Sequence, residues 1–287
     1  MYANKEAAIL TQKAREGFFT ARDGLRLFSR IWPAERGRGT LLLVHGFAEH
    51  SGRYARLAED LNQAGYCLAT FDLRGHGRSE GRRAHIDSFD DYLGDCRAFI
   101  EQLGDECPRP HWLLGHSMGG LIAARYRQRH GGEFVGLVLS SPFLGFAIKV
   151  PAIKALAGRA LSSLWPTLAM KTGLDPTVLS HDRQVVEEYR NDPLVSDIAT
   201  ARWFTEVIQA QQEARKQAGS LAGPLLVLQA GDDRLSSLQT TQAFFDAYGG
   251  VDKQIQVYDG FLHEVFNENE RQRPLEDLLS WLGEHTA

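Results

Sequence analysis

Apolar residues along this chain fall into short continuous runs, separated by stretches with helical spacing. Leu41–Val44 (LLLV) is uninterrupted and ends at His45-Gly46, a pattern that suits a strand buried on both faces. Arg53–Ala64 follows, with Tyr54, Leu57, Ala58 and Leu61 at i, i+3, i+4 and i+7, one stripe of a helix. Gly65 closes that helix, and Tyr66–Phe71 (YCLATF) reads as the next strand. Phe89–Leu103 is amphipathic again, carrying Leu93, Cys96, Ile100 and Leu103 on one side. His111–Leu114 and Gly136–Leu139 are further short strands on either side of a Met118–His130 helix. Towards the C-terminus Leu225–Gln229 and Gln254–Tyr258 flank a helix near Leu238–Tyr248, and Pro274–Gly283 supplies a last one.

Strand–helix alternation of this kind calls for parallel strands joined by right-handed crossovers. The expected class is α/β, a mostly parallel central sheet with helices on both faces. Phe18–Ala21 and Leu25–Ile31, joined across Asp23-Gly24, look instead like an antiparallel hairpin added at the edge. The rhythm breaks over residues 145–223, which carry helical stretches at Ile148–Leu164, Arg183–Arg190 and Ala199–Ala218 but no clear buried strand. An insertion of roughly 75 residues between two strands is too long for a plain loop and should be a helical cap. The expected organisation is a core of 1–144 and 224–287 interrupted by a cap at 145–223, too dependent on its host to fold alone.

Charge narrows the partners. The 287 residues hold 32 Lys and Arg against 36 Asp and Glu, a net charge of −4, so nothing favours a polyanion such as nucleic acid. No run approaches the ~20 apolar residues of a membrane span. Cys67, Cys96 and Cys107 are odd in number and lack CxxC spacing, which argues for packed, reduced thiols in a cytoplasmic compartment. The polar first 19 residues lack the apolar core of a secretory signal. No His or carboxylate spacing suggests a metal, and no GxGxxG follows a strand, so neither metal nor cofactor is expected.

The chemistry centres on Gly115-His116-Ser117-Met118-Gly119, a G-x-S-x-G placed directly after an apolar strand and directly before a helix. The bare pattern is weak; its placement is the confirming context. So sharp a turn needs glycines two residues either side of the serine, and it lifts the hydroxyl above the sheet beside helix-start amides that favour an anion. A serine hydroxyl needs a base, and the base needs an orienting acid. The order serine, acid, histidine points to His263, just past the last strand; His285 lies in the C-terminal tail. The acid should follow LLVLQ, where Asp232 and Asp233 both fit by spacing. Backbone N–H groups of Met118 and Phe47 are the candidate oxyanion donors.

With these residues in place, the chain resembles an α/β-hydrolase of the monoacylglycerol lipase-like branch, also described as the lysophospholipase or serine aminopeptidase group. Four blocks carry the resemblance: residues 41–61 (LLLVHGFAEHSGRYARLAEDL), 66–95, 113–126 (LLGHSMGGLIAARY) and 137–144 (LVLSSPFL). Weaker matches follow at 191–196, 227–237 and 258–268. The H-G-x-x-E-H-S-x-R-Y string is the branch-specific one. The resemblance implies Ser117, Asp233 and His263 as triad, Phe47 and Met118 as oxyanion donors, and an ester of a single-chain lipid as substrate. It departs at Ala230, where a glycine is usual. Carboxylesterase, thioesterase and peptidase are the alternatives within the superfamily. A dehalogenase or epoxide hydrolase would carry aspartate at position 117, and a non-catalytic receptor on this fold would usually have lost a triad member.

Other prominent residues have quieter expected roles. Glu49 and His50 should brace the oxyanion loop, Asp72, Arg74 and His76 a buried turn, and His45 and His116 structural hydrogen bonds. Within 146–170, Val150, Ile153, Ala157, Leu161, Leu164 and Trp165, with sparse Lys149, Lys154 and Arg159, could line an acyl channel or touch a lipid interface. Phe143, Leu144 and Leu164 are the candidate substrate contacts.

Overall fold

The computed structural model describes residues 13–35, 37–132, 134–148 and 152–286, and of 152–157 the backbone only. The polar stretch up to Gln12, Lys149 and Val150 therefore lie outside the described residues, as do the side chains of Ile153, Lys154 and Ala157.

The chain opens with an antiparallel pair, β1 (Arg15–Thr20) and β2 (Arg26–Trp32), in the register Phe18 to Phe28. There follow β3 (Thr40–Val44), α1 (Ala55–Gln63), β4 (Cys67–Phe71), α2 (Asp90–Ile100), β5 (His111–His116), α3 (Met118–His130) and β6 (Gly136–Ser140). Next come α4 (Ala152–Leu164), β7 (Ala169–Lys171), α5 (Arg183–Asn191), β8 (Ile198–Thr200) and α6 (Ala201–Lys216). The chain then returns to the sheet with β9 (Leu225–Ala230), α7 (Leu238–Ala247), β10 (Lys253–Tyr258) and α8 (Gln272–Glu284).

The strands of the main sheet lie in the order β1-β2-β4-β3-β5-β6-β9-β10. Every pairing from β4 to β10 is parallel, and the antiparallel β1–β2 hairpin joins through β2. The continuous apolar runs serve both faces at once. Leu42 and Val44 of β3 and Leu225 and Val227 of β9 belong to one core layer; Leu41, Leu43, Leu226 and Leu228 belong to the other. Helix α3 is buried from Met118 to Arg127 and packs on β3, β5 and β6, so the residue ahead of it stands at the sheet's C-terminal edge. That edge is where open α/β sheets bind ligands.

Between β6 and β9 the structure differs from the helices-only expectation. β7 and β8 pair antiparallel, Met170 opposite Ala199. Their three-residue length and the exposure of Ala169–Lys171 leave no apolar alternation to read. α6, capped by the Thr200 hydroxyl, rests on α3 and α4 and carries this segment against the body. Among the described residues no helix is long and apolar enough to cross a membrane.

Candidate active site

Ser117 occupies a turn of one residue between β5 and α3. Its backbone is left-handed, φ 52° and ψ −119°, a strained position for a residue with a side chain. The strain persists because neighbouring strands fix the turn. Ser117 N–H donates to Ser140 O at 2.9 Å, and its carbonyl accepts from Gly120 and Phe143, each at 2.9 Å. The flanking glycines are needed for contact. A Cβ on Gly119 would stand 1.9 Å from Val44 O, and one on Gly115 2.3 Å from Gly119 O.

His263 lies in the loop after β10, and its Nδ1 meets Asp233 Oδ2 at 2.8 Å. The other Asp233 oxygen accepts the N–H groups of Leu235 and Ser236, each at 2.9 Å. Asp232 is exposed and makes no such contact with the imidazole. Burial by itself would raise the Asp233 carboxyl, but the imidazole and the two amides outweigh it and hold the group below its ordinary value. Burial would likewise lower His263; the facing Asp233, with Glu264 and Glu49 beyond, reverses this and raises it. His285 is tied far along the chain to Trp281 O and Asp252.

The turn after β3 faces Ser117. A Cβ on Gly46 would lie 3.2 Å from Ser117 Cβ, and Ala48 beyond it is left-handed at φ 57°. The Phe47 N–H has no acceptor among the described residues. The Met118 N–H heads α3, where the first amides have no partner within the helix. His45 holds this turn from below: its Nδ1 bonds Gly46 O at 2.7 Å while its Nε2 accepts Leu73 N–H at 2.9 Å. Burial pushes this imidazole down to about 4, in keeping with the neutral tautomer those two bonds require.

The surrounding polar residues form a buried frame. Glu49 accepts Gly46 N–H and the Tyr54 hydroxyl, and His50 reaches across to Asp192 at 2.7 Å. Asp72 accepts the amides of Ser51 and Arg78, each at 2.8 Å. Arg74 grips Asp95 through two 2.6 Å bonds, yet burial pushes that carboxyl up to about 6. His76 and His116 are driven down by burial to about 3 and about 4, and His116 lies 5.0 Å from the His263 ring. The three cysteines are buried and free. Among the described residues no group of three His, Cys, Asp or Glu is placed to hold a metal.

Ser117, His263, Gly46 and Phe47 open into one cavity of about 610 Å³. Of the three candidate substrate contacts, Phe143 lines it. Leu144 does not: it is fully buried in the core layer around α3. Leu164 does not either, standing 85% exposed at the end of α4. The remaining wall comes from residues that sequence reasoning did not single out, among them Phe146, Met170, Leu174, Trp203 and Phe204. Trp203 packs against Phe47 with ring centroids 4.2 Å apart and planes inclined by 37°. The aromatic pair Trp203-Phe204 was the visible signal, but its face could be assigned only once α6 was placed.

A family model described as serine aminopeptidase S33 matches residues 35–270. A monoacylglycerol lipase of Mycolicibacterium smegmatis is 34% identical over 278 residues, 94% of this chain and 97% of that protein. Phospholipase YtpA of Bacillus subtilis is 35% identical over 84% of this chain and 93% of its own. The crystal structure of Paleococcus ferrophilus monoacylglycerol lipase superposes with a TM-score of 0.81 at 31% identity, covering 96% of this chain and 100% of that one. A hydroxyl raised on a strained turn above the sheet, the matched family and these relatives agree: the chain belongs to the serine aminopeptidase S33 family, within the α/β-hydrolases, and is a serine ester hydrolase.

Proposed function

We propose that Ser117, His263 and Asp233 act as a catalytic triad on carboxylic esters of single-chain lipids, with Phe47 and Met118 as oxyanion donors. The observation that carries the substrate class is the cavity above Ser117. Much of its wall is apolar and aromatic, with Phe47, Phe143, Phe146, Leu174, Trp203 and Phe204 among its lining, and Ser117 and His263 open into it. The names of the Mycolicibacterium smegmatis and Paleococcus ferrophilus relatives support monoacylglycerols, and that of the Bacillus subtilis relative supports a phospholipid.

In the first step Ser117 Oγ attacks the ester carbonyl and His263 Nε2 accepts the hydroxyl proton. The developing oxyanion is received by the Phe47 and Met118 N–H groups. Asp233 holds the Nδ1–H tautomer and stabilises the imidazolium. His263 then protonates the leaving alcohol, the C–O bond breaks, and an acyl-enzyme remains on Ser117. Water, activated by His263, attacks that ester and releases the fatty acid.

In this reading residues 145–223 act as a cap over a core of 1–144 and 224–287, closing the acyl side of the cavity. Leu164 and Trp165, 85% and 61% exposed, with Ile148 and Met170 nearby on the same segment, provide a peripheral lipid contact. The test is a panel of monoacylglycerols, lysophospholipids and short nitrophenyl esters of graded chain length. Turnover rising with chain length supports the reading. Turnover of short esters with none on any single-chain lipid would refute it and leave a small-acyl carboxylesterase.

A further inference from the structure

A second charged cluster lies beside the cavity, and the acyl-transfer steps above do not use it. Arg53, in the turn just before α1, donates from Nη1 to Glu264 Oε1 at 2.6 Å and from Nη2 to Glu264 Oε2 at 2.8 Å. The same Nη1 reaches Glu49 Oε2 at 3.2 Å. All three side chains are at most 10% exposed. The guanidinium lies over the Tyr189 ring of α5 at 4.9 Å.

Each end of this cluster is fastened to one half of the proposed machinery. Glu49 accepts Gly46 N–H, in the turn that presents the Phe47 amide. Glu264 directly follows His263 and is itself fixed by Asn267 Nδ2 at 2.8 Å and by its own N–H to Leu179 O at 2.9 Å. One cation thus joins two loops, reaching a carboxylate 211 residues further along the chain. Arginine suits the task because its planar fork binds one carboxylate with two bonds and still reaches a second.

We infer that Arg53 is a positioning residue for the hydrolysis proposed above, clamping the turn that supplies the Phe47 amide to the loop that supplies His263. The inference rests on that reading. An oxyanion donor and a base on separate loops lose about 10²-fold in rate from a displacement of order 1 Å. The clamp also sets the field at the imidazole. The groups that face His263 are Asp233, Glu264 and Glu49, which favour its charged form, and His116, which opposes it; Arg53 is bonded to two of the three carboxylates. An ion pair that served stability alone would change the melting temperature and leave kcat of the folded protein at wild type.

The test measures kcat, KM and their pH dependence on a soluble short-chain nitrophenyl ester for wild type, Arg53→Met, Arg53→Lys and Glu264→Gln, with thermal melts alongside. His263 must be neutral to act as base, so the wild-type rate rises with pH through a limb above the ordinary imidazole value of about 6.5. Arg53→Met should lower kcat about ten- to a hundredfold with a smaller change in KM. Its limb should move to higher pH, because two carboxylates lose their neutralising partner. Glu264→Gln should move the limb to lower pH and also reduce kcat; Arg53→Lys should recover part of kcat with the limb near wild type. A folded Arg53→Met with wild-type kcat and an unmoved limb overturns the inference, as does an effect confined to melting temperature. Should Arg53→Met fail to fold, Glu264→Gln decides: reduced kcat with a lowered limb supports the clamp, and wild-type behaviour refutes it. Wild-type turnover that survives Ser117→Ala would sink the triad reading instead, so the two failures are separable.

Discussion

The two sides of the cavity are built under different constraints. On the sheet side, backbone touches backbone: Gly119 leaves no room for a methyl group against Val44 O, and Ser117 is held left-handed by bonds to Ser140, Gly120 and Phe143. On the inserted side, residues 145–223 meet the body through side chains, as in Trp203 on Phe47 and Asp192 on His50, and through a few ordinary backbone bonds, such as Glu264 N–H to Leu179 O and Thr200 N–H to Ala84 O. Backbone contacts at van der Waals limits admit almost no substitution, whereas side-chain contacts can be repacked. On the proposed mechanism, the chemistry would belong to the rigid side and the choice of substrate to the adaptable one.

The strongest way to break this division is at the serine. Ser117→Ala should lower kcat by a factor on the order of 10⁶, with an unchanged melting curve. A retained rate above about a thousandth of wild type would mean that the reacting group lies elsewhere.

A matched pair of glycine substitutions compares the two sides directly. Gly119→Ala forces a Cβ onto backbone oxygen and should cost about 3 kcal/mol or more, or prevent folding. Gly173→Ala, in the insertion, meets nothing within 4 Å and carries only the strain of φ 70°, about 1–2 kcal/mol. Equal midpoints in urea unfolding would erase the distinction.

Smaller effects should separate specificity from chemistry. Phe204→Ala widens the cavity from the α6 side and should shift the ratio of kcat/KM between long and short acyl chains by roughly tenfold. Its rate on the shortest ester should stay near wild type; a uniform loss across the panel would place Phe204 with the chemistry. The smallest change is expected for Leu164→Ser with Trp165→Ser. Both side chains are exposed, so hydrolysis of a dissolved ester should be unaffected while hydrolysis of a vesicle-borne monoacylglycerol falls a few-fold. Identical ratios on both substrates would remove the lipid contact.

What the sequence made legible follows the same line. The strands of the body announce themselves because each is buried on both faces, so that Leu41–Val44 and Leu225–Leu228 alternate between two core layers without a polar break. The turn at Ser117 was readable because its glycines and serine are fixed in spacing by backbone contact. Spacing left Asp232 and Asp233 open; the resemblance favoured Asp233, and the imidazole faces Asp233. The inserted segment was legible only as helices. The β7–β8 ribbon is too short and exposed to leave a period, and Leu144 and Leu164 sit away from the cavity because adjacency in sequence does not set the face a side chain takes. Pairs such as Arg53 with Glu264 and His50 with Asp192 join residues 211 and 142 apart, beyond any local pattern.

The central claim is an acyl-enzyme on Ser117, and the most direct measurement is mass spectrometry of the whole chain quenched during turnover of a monoacylglycerol. The account predicts a transient mass increase of one acyl group, localised to the peptide containing Ser117 and absent from Ser117→Ala. Steady turnover with no adduct, or an adduct on another residue, would contradict it.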